Sequence, residues 1–244
     1  MGEKVRLDIA LERAGLVPSR ARARDAILRG TVLVNNAPAA KPGQLVGSDD
    51  TLALNDPASG YVSRAALKLI AGLEAAGIDP SGKTCLDLGA STGGFTQVLA
   101  KRGAAKIYAI DVGHGQLHPN IAALPAVISL EGTNARDLDR SLIPDPIDLL
   151  VSDVSFVSLT KILQAPLSLC APDAHAVLLI KPQFEVGRDH IGKGGIVIDG
   201  PHVDASVASV IDMLGERGWR LIAKIASPLK GGDGNAEYIA AFAR

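Results

Sequence analysis

This sequence is poor in cysteine, in aromatic rings and in long apolar runs, and each scarcity excludes something. It has two cysteines among 244 residues. That is too few for a disulfide scaffold and suits a reducing, cytoplasmic setting. Cys85 falls in a predicted strand and Cys170 near the end of a predicted helix, so both read as small buried hydrophobes. No paired-Cys or His cluster occurs, and no metal is expected. Aromatics make up 3% of the chain, so aliphatic side chains must fill the core and few rings remain to stack on bases. No run approaches the ~18 apolar residues of a membrane span. Met1-Gly2-Glu3-Lys4-Val5-Arg6 lacks the apolar core of a secretion signal. The 47% hydrophobic content and net charge of −1 describe a soluble globular protein, one large domain or a medium one plus a small one.

The richest local signal is Thr84-Cys85-Leu86-Asp87-Leu88-Gly89-Ala90-Ser91-Thr92-Gly93-Gly94-Phe95-Thr96. An apolar strand enters a glycine-rich turn, and a helical pattern follows. Glycines let backbone turn sharply and approach a ligand closely. The next strand, Lys106 to Asp111, ends in an acid about 20 residues on, where a ribose diol would be held. A dinucleotide fingerprint needs glycine where Ser91 stands, and Asp87 would repel a pyrophosphate. A cationic ligand suits these acids better. S-adenosylmethionine, with its ammonium and sulfonium, is therefore preferred to a nicotinamide cofactor.

Residues 4 to 54 read as a separate basic module. Arg6 to Ala14 has helical apolar spacing, Ser19 can cap a second helix over Arg20 to Leu28, and Gly30 ends it. Thr31 to Val34 and Thr51 to Leu54 read as strands, with Asn35-Asn36 as a turn. Between Lys4 and Lys41 eight bases face three acids, a net of +5, so the rest of the chain carries −6. Charge runs are usually solvated surface, but this imbalance on a short module points to phosphate. The module resembles the S4 RNA-binding domain in Arg6-Leu7-Asp8, Val17-Pro18-Ser19-Arg20-Ala21-Arg22, Ile27-Leu28-Arg29-Gly30, Val32-Leu33-Val34-Asn35 and Lys41-Pro42-Gly43. The likeness implies a two-helix face gripping structured RNA through phosphates. The expected RNA contacts are Arg6, Arg20, Arg22, Arg24, Arg29 and Lys41, with Arg64 added. Asp56-Pro57-Ala58-Ser59-Gly60 breaks both flanking patterns. The expected division is 1–58 and 59–244, with a short linker at 59–62.

Beyond it, Tyr61 to Ile70 reads as a helix capped by Ser63 that buries Leu67 and Ile70, leaving Arg64 and Lys68 exposed. Gly113 to Pro119, with His114 and His118, reads as a loop over the cofactor. Thr133 to Leu138 follows the third strand, and its Asn or Asp either bonds an adenine amino group or caps a turn. Ile147 to Phe156 is a fourth strand ending at Asp153, where a reacting group or a helix cap would lie. Lys161 to Leu169 reads as a helix. Ala176 to Pro182 is a fifth strand ending at Lys181, a lysine too costly to bury unless paired or functional. Phe184 to Gly195 and Ser227 to Asn235 read as loops, Val203 to Gly215 as a helix, and Leu221 to Ile225 and Glu237 to Phe242 as strands.

The whole chain resembles the TlyA family, often labelled haemolysin A: ribosomal RNA methyltransferases that join an S4 domain to an FtsJ-like one. The likeness rests on Tyr61-Val62-Ser63-Arg64 with Lys68, Asp87 to Thr96, Asp153-Val154-Ser155-Phe156, Lys181-Pro182-Gln183-Phe184-Glu185 and Glu237-Tyr238. It implies an α/β, Rossmann-like methyltransferase sheet with an antiparallel last strand, preceded by a small α+β S4 domain. It implies transfer to a cytidine ribose 2′-hydroxyl of ribosomal RNA within ribosomal subunits, with no membrane partner. It places the family's lysine-aspartate-lysine-glutamate tetrad on Lys68, Asp153, Lys181 and Glu237, against the surface reading of Lys68. The expected cofactor set is Asp87, Gly89, Ser91, Gly93, Gly94, Phe95, Thr96, Asp111, Asp137 and Asp153. The linker Ser59-Gly60-Tyr61-Val62 lacks the charged and tryptophan residues some members carry. Three rivals stand beside this reading: a membrane-active cytolysin, a non-catalytic S4-type RNA-binding protein, and a small-molecule methyltransferase, which would leave the basic module unexplained.

Overall fold

The computed structural model describes residues 4–197, 200–231 and 234–244. The chain forms two compact units, Met1–Gly60 and Tyr61–Arg244. No helix among the described residues is long and apolar enough to cross a membrane.

In the first unit β1 (Val5–Arg6) leads into α1 (Leu7–Arg13), and α2 (Arg20–Leu28) follows. Then come β2 (Val32–Val34), β3 (Ala37–Pro38), β4 (Leu45–Val46) and β5 (Leu52–Leu54). Ser19 caps α2 by accepting from Arg22 N at 3.3 Å, which ties down one of the helix's orphan donors. Asn35 and Asn36 hold φ of 52° and 64°, the left-handed pair of a two-residue hairpin turn. That turn joins β2 to β3 in antiparallel register, Val34 opposite Ala37. Leu7, Leu11, Ala23, Ile27, Val32 and Val46 pack together as this unit's own core. The expected start of the first helix at Arg6 is corrected: Arg6 pairs with Leu45 in β1, and the helix begins at Leu7. Strands as short as β1, β3 and β4 carry too little alternation to be legible in sequence.

In the second unit α3 (Ala66–Ala76) precedes β6 (Thr84–Leu88), α4 (Gly94–Lys101), β7 (Lys106–Asp111), α5 (Pro119–Ala122) and β8 (Val127–Glu131). There follow β9 (Ile147–Ser152), α6 (Leu159–Ile162), α7 (Gln164–Ser168), β10 (Cys170–Ile180) and α8 (Pro182–Glu185). Helix α9 (Gly200–Gly215), β11 (Arg220–Ala226) and β12 (Tyr238–Ala243) complete it. The seven strands order as β11-β12-β10-β9-β6-β7-β8. Strands β6 to β10 run parallel, while β12 is antiparallel to both neighbours. The α/β sheet with an antiparallel last strand, after a small α+β unit, matches the fold expected from the sequence.

Alternation along each strand sends side chains to two helical layers. Cys85, Ile107, Leu149 and Val177 meet Leu69, Leu73, Phe95 and Leu99 of α3 and α4. Leu86, Leu88, Leu150 and Leu178 meet Leu159, Leu163, Val210 and Leu214 on the other face. The helix expected over Lys161 to Leu169 is two short ones. Pro166 has no N–H to give the carbonyl of Ile162, so the run breaks near Leu163. The Phe184 end of an expected loop lies in α8, where Pro182 supplies the fixed φ of a first helical turn. Within the expected loop at Ser227 to Asn235, Gly232 lies outside the described residues.

Candidate active site

The site is built where the strands end. Leu88 of β6 lies level with Ser152 of β9, and Ser152 with Leu178 of β10. The residues just beyond, Gly89, Asp153 and Lys181, therefore emerge at one edge of the sheet. Because β12 runs the opposite way, its first residue, Tyr238, faces Ile180. Glu237 is thus delivered to the same edge. Gly89 takes φ of 80°, and a Cβ there would stand 3.1 Å from Asp153 O and from Val154. The turn passes so close to the β9 loop that only glycine fits.

Two cavities share Gly89, Ser91, Asp153, Ser155 and Phe156 as their common wall. The first, about 390 Å³, brings together Lys68, Asp153, Lys181 and Glu237. Lys68 Nζ donates to Glu237 Oε2 at 2.6 Å. Lys181 Nζ stands 2.7 Å from Asp153 Oδ1 and donates to Ser155 Oγ at 2.8 Å. Lys68, Lys181 and Glu237 are 8%, 7% and 4% exposed. Two lysines and two carboxylates that cancel in formal charge are thus confined to one partly dry wall, as burial requires.

The second cavity, about 540 Å³, opens on Asp111, Val112, Asn134 and Ala135. Asp111 Oδ2 accepts from Ser91 N and Oδ1 from Gly113 N, each at 2.8 Å. The strand-end acid therefore organises the glycine turn as well as facing the cavity. Together the two cavities suit an elongated ligand with a cationic end near the acids and a diol-bearing end near Asp111.

The comparisons with known proteins agree with this geometry. The FtsJ-like methyltransferase model matches residues 61–244, and the S4 domain model matches residues 5–52. Over 98% of its length the chain is 45% identical to the 16S/23S rRNA (cytidine-2′-O)-methyltransferase TlyA of Mycobacterium tuberculosis, covering 89% of that protein. The chain belongs to the TlyA family. It is also 39% identical to Hemolysin A of Brachyspira hyodysenteriae, with 98% of this chain and 99% of that one covered. A solved structure of a candidate hemolysin from Streptococcus thermophilus superposes with a TM-score of 0.76 at 32% identity, over 100% of this chain and 90% of that one.

Within this TlyA-family chain the expected cofactor residues divide. Gly89, Ser91, Gly94, Phe95, Asp111 and Asp153 line the cavities. Asp87 lies behind the turn: it alternates onto the face beneath α4, is fully buried, and accepts from Thr96 Oγ1 at 2.6 Å. Burial pushes its carboxyl up to about 7. Asp87 and Thr96 brace the turn from behind and stand off both cavity walls. Gly93 is off the walls too and abuts Leu117 and Ile121 beside the turn. Asp137 is exposed and off the wall, and Asn134 and Arg136 line the cavity in its place. Its neighbour Asn134 caps the 3₁₀ turn Ala135–Asp137 by accepting from Arg136 N.

Lys68 is the clearest reversal of periodicity. Helix α3 begins at Ala66 with no side-chain cap, so the expected Ser63 cap is displaced. Ser63 Oγ instead accepts from Ala65 N inside the preceding turn. The helix buries Ala66, Lys68, Leu69, Gly72 and Leu73, whereas Leu67 and Ile70 stay half-exposed. Ser155, Phe156 and Gln183 also line the first cavity and were not singled out individually in the sequence. Their placement three or four residues beyond strand ends is the available signal.

In the S4 unit the expected RNA contacts also divide. Arg29 is bound by Asp25 at 2.9 Å and Asp56 at 2.6 Å, with 17% of its side chain exposed. Arg22 donates to Ala58 O at 3.0 Å. Arg24 and Lys41 are exposed, and Arg64 of the second unit is half-buried. Arg6 and Arg20 keep 45% and 50% of their side chains exposed while both bind the buried Asp8.

Proposed function

We propose that this chain transfers a methyl group from S-adenosylmethionine to a cytidine ribose 2′-hydroxyl of ribosomal RNA, acting on ribosomal subunits in the cytoplasm. One observation carries the reading: residues 68, 153, 181 and 237 converge on one cavity beside the Gly89 turn. S-adenosylmethionine, when bound, supplies an electrophilic methyl on a sulfonium. Gly89, Ser91, Gly94 and Asp111 would hold it along the turn, and Asp153 faces both cavities where its cationic centre would lie.

A ribose hydroxyl attacks well only as its proton departs. A lysine takes that proton only as a free amine. In our reading Lys181 is the base. Lys68 supplies the neighbouring positive charge and steadies developing negative charge on the ribose oxygen. Glu237 fixes Lys68 through its 2.6 Å bond, and Asp153 holds Lys181 at 2.7 Å. The ribose oxygen gains the methyl as its proton passes to Lys181 Nζ. Alignment of oxygen, methyl and sulfur contributes much of the rate. The S4 unit, through Arg6, Arg20, Arg24 and Lys41, grips RNA phosphates and brings the substrate.

The test is Lys181→Ala, assayed with unmodified ribosomal subunits and methyl-labelled S-adenosylmethionine. Methylation should vanish while calorimetry still registers cofactor binding. Wild-type turnover in that variant would remove Lys181 from the reaction.

A further inference from the structure

Lys181 Nζ has two neighbours of different kind. Asp153 Oδ1 is nearer, at 2.7 Å, yet that oxygen makes no hydrogen bond among the described residues. The approach lies outside hydrogen-bond geometry and is a contact between charges. Ser155 Oγ, at 2.8 Å, accepts a well-formed bond. A Coulomb contact barely senses rotation of an amine about its Cε–Nζ bond, whereas a hydrogen bond is directional. Ser155, rather than Asp153, therefore sets where the N–H bonds of Lys181 point. On a neutral amine that choice also aims the lone pair.

The loop carrying Ser155 is built to hold this contact. Phe156, the next residue, has φ of 65°, a conformation that costs a side-chain-bearing residue ~1–3 kcal/mol and persists only when the surroundings enforce it. Its ring tilts against Phe184 with centroids 5.3 Å apart. Two residues on, Ser158 donates to Glu185 Oε2 at 2.6 Å, and Leu159 N donates to Glu185 Oε1 at 2.8 Å. Phe184 and Glu185 lie in α8, which starts directly after Lys181. The serine loop is thus fastened to the segment that bears the lysine, and the two groups keep their spacing together.

We propose that Ser155 is a positioning residue that turns the Lys181 amine so that its lone pair meets the incoming 2′-hydroxyl. The proposal rests on Lys181 being the base. As the oxygen–carbon bond forms and the carbon–sulfur bond breaks, the hydroxyl proton moves to Nζ. Ser155 holds one N–H aside and leaves the fourth direction open for it.

The experiment uses the full chain with ribosomal subunits and compares Ser155→Ala and Ser155→Thr. Ser155→Ala should lower kcat about 10- to 100-fold, the scale of a misaimed reacting group. The KM for subunits and the affinity for S-adenosylmethionine should stay within about twofold of wild type, because uniform binding is untouched. Ser155→Thr keeps the hydroxyl and should recover most of the rate. Wild-type kcat in Ser155→Ala or a loss confined to KM would each overturn the proposal. Activity in Lys181→Ala would instead fell the parent reading, so the two failures are distinguishable.

Discussion

Replacing Asp8 by Asn separates two views of the S4 unit, because they predict opposite signs. Asp8 is fully buried in the first turn of α1. Its carboxylate accepts from Arg6 Nε at 3.0 Å and Nη2 at 3.1 Å, and from Arg20 Nη2 at 3.1 Å. Simple electrostatics holds that deleting an acid from a basic module tightens RNA binding. The geometry says otherwise, since one carboxylate locks two long side chains and leaves their outer N–H groups facing solvent. Asn has a single acceptor oxygen, and its amide N–H groups would oppose a guanidinium. Loss of the bidentate Arg6 grip and one further charged bond would cost ~1–2 kcal/mol of stability, a figure kept low because both arginines are half in water. Freed to many rotamers, the two arginines would lose about tenfold in RNA affinity, and the log–log salt slope should shrink by roughly 1–2. Anisotropy titrations of a ribosomal RNA fragment across a salt series measure both. Equal or tighter binding with an unchanged slope would refute the reasoning. The acid profile gives a second check. Hydrogen bonding, chiefly from Arg6, holds the Asp8 carboxyl down at about 2 against an ordinary 3.8. Its contribution is whole above the unfolded value and is lost as pH falls from 4 through 2. The variant should lack that loss.

Two further changes probe the second unit. Gly72→Ala would put a Cβ 2.7 Å from both Ile239 Cγ2 and Val177 Cγ1; overpacking of ~1–3 kcal/mol outweighs the ~1 kcal/mol helix gain, so the melting temperature should fall by a few degrees, and a rise would count against the packing described. Asp87→Asn keeps the acceptor for Thr96 and removes a carboxyl that burial raises from 3.8 to about 7. A raised acid loses stability between those two values and gains none back above them, so the variant's advantage in urea denaturation should widen from pH 4 to pH 8, and parallel profiles would refute it.

Much of the molecule is legible without coordinates because its signals are local. A strand running into the Gly89 turn, the alternation and length of the buried strands, and the Ser19 cap each depend on a few neighbouring residues. The family motifs preserve that local chemistry, and so point to the tetrad residues before their contacts are known. What the motifs cannot supply is the set of partners. Lys68 looks exposed by the spacing of its own helix and is buried by packing against a strand; its partner Glu237 lies 169 residues away. Arg29 looks like its neighbours on α2 and is claimed by Asp56, 27 residues on.

The sequence by itself determined the two-module plan, the glycine turn and the residue types offered at each strand end. Tertiary structure alone decided which way α3 is rotated, that Asp87 alternates beneath a helix, and which atom of the β9 loop bonds the lysine. The physical reason is that local preference acts over a turn or a strand. Burial and charge pairing act between segments brought together only when the sheet has formed.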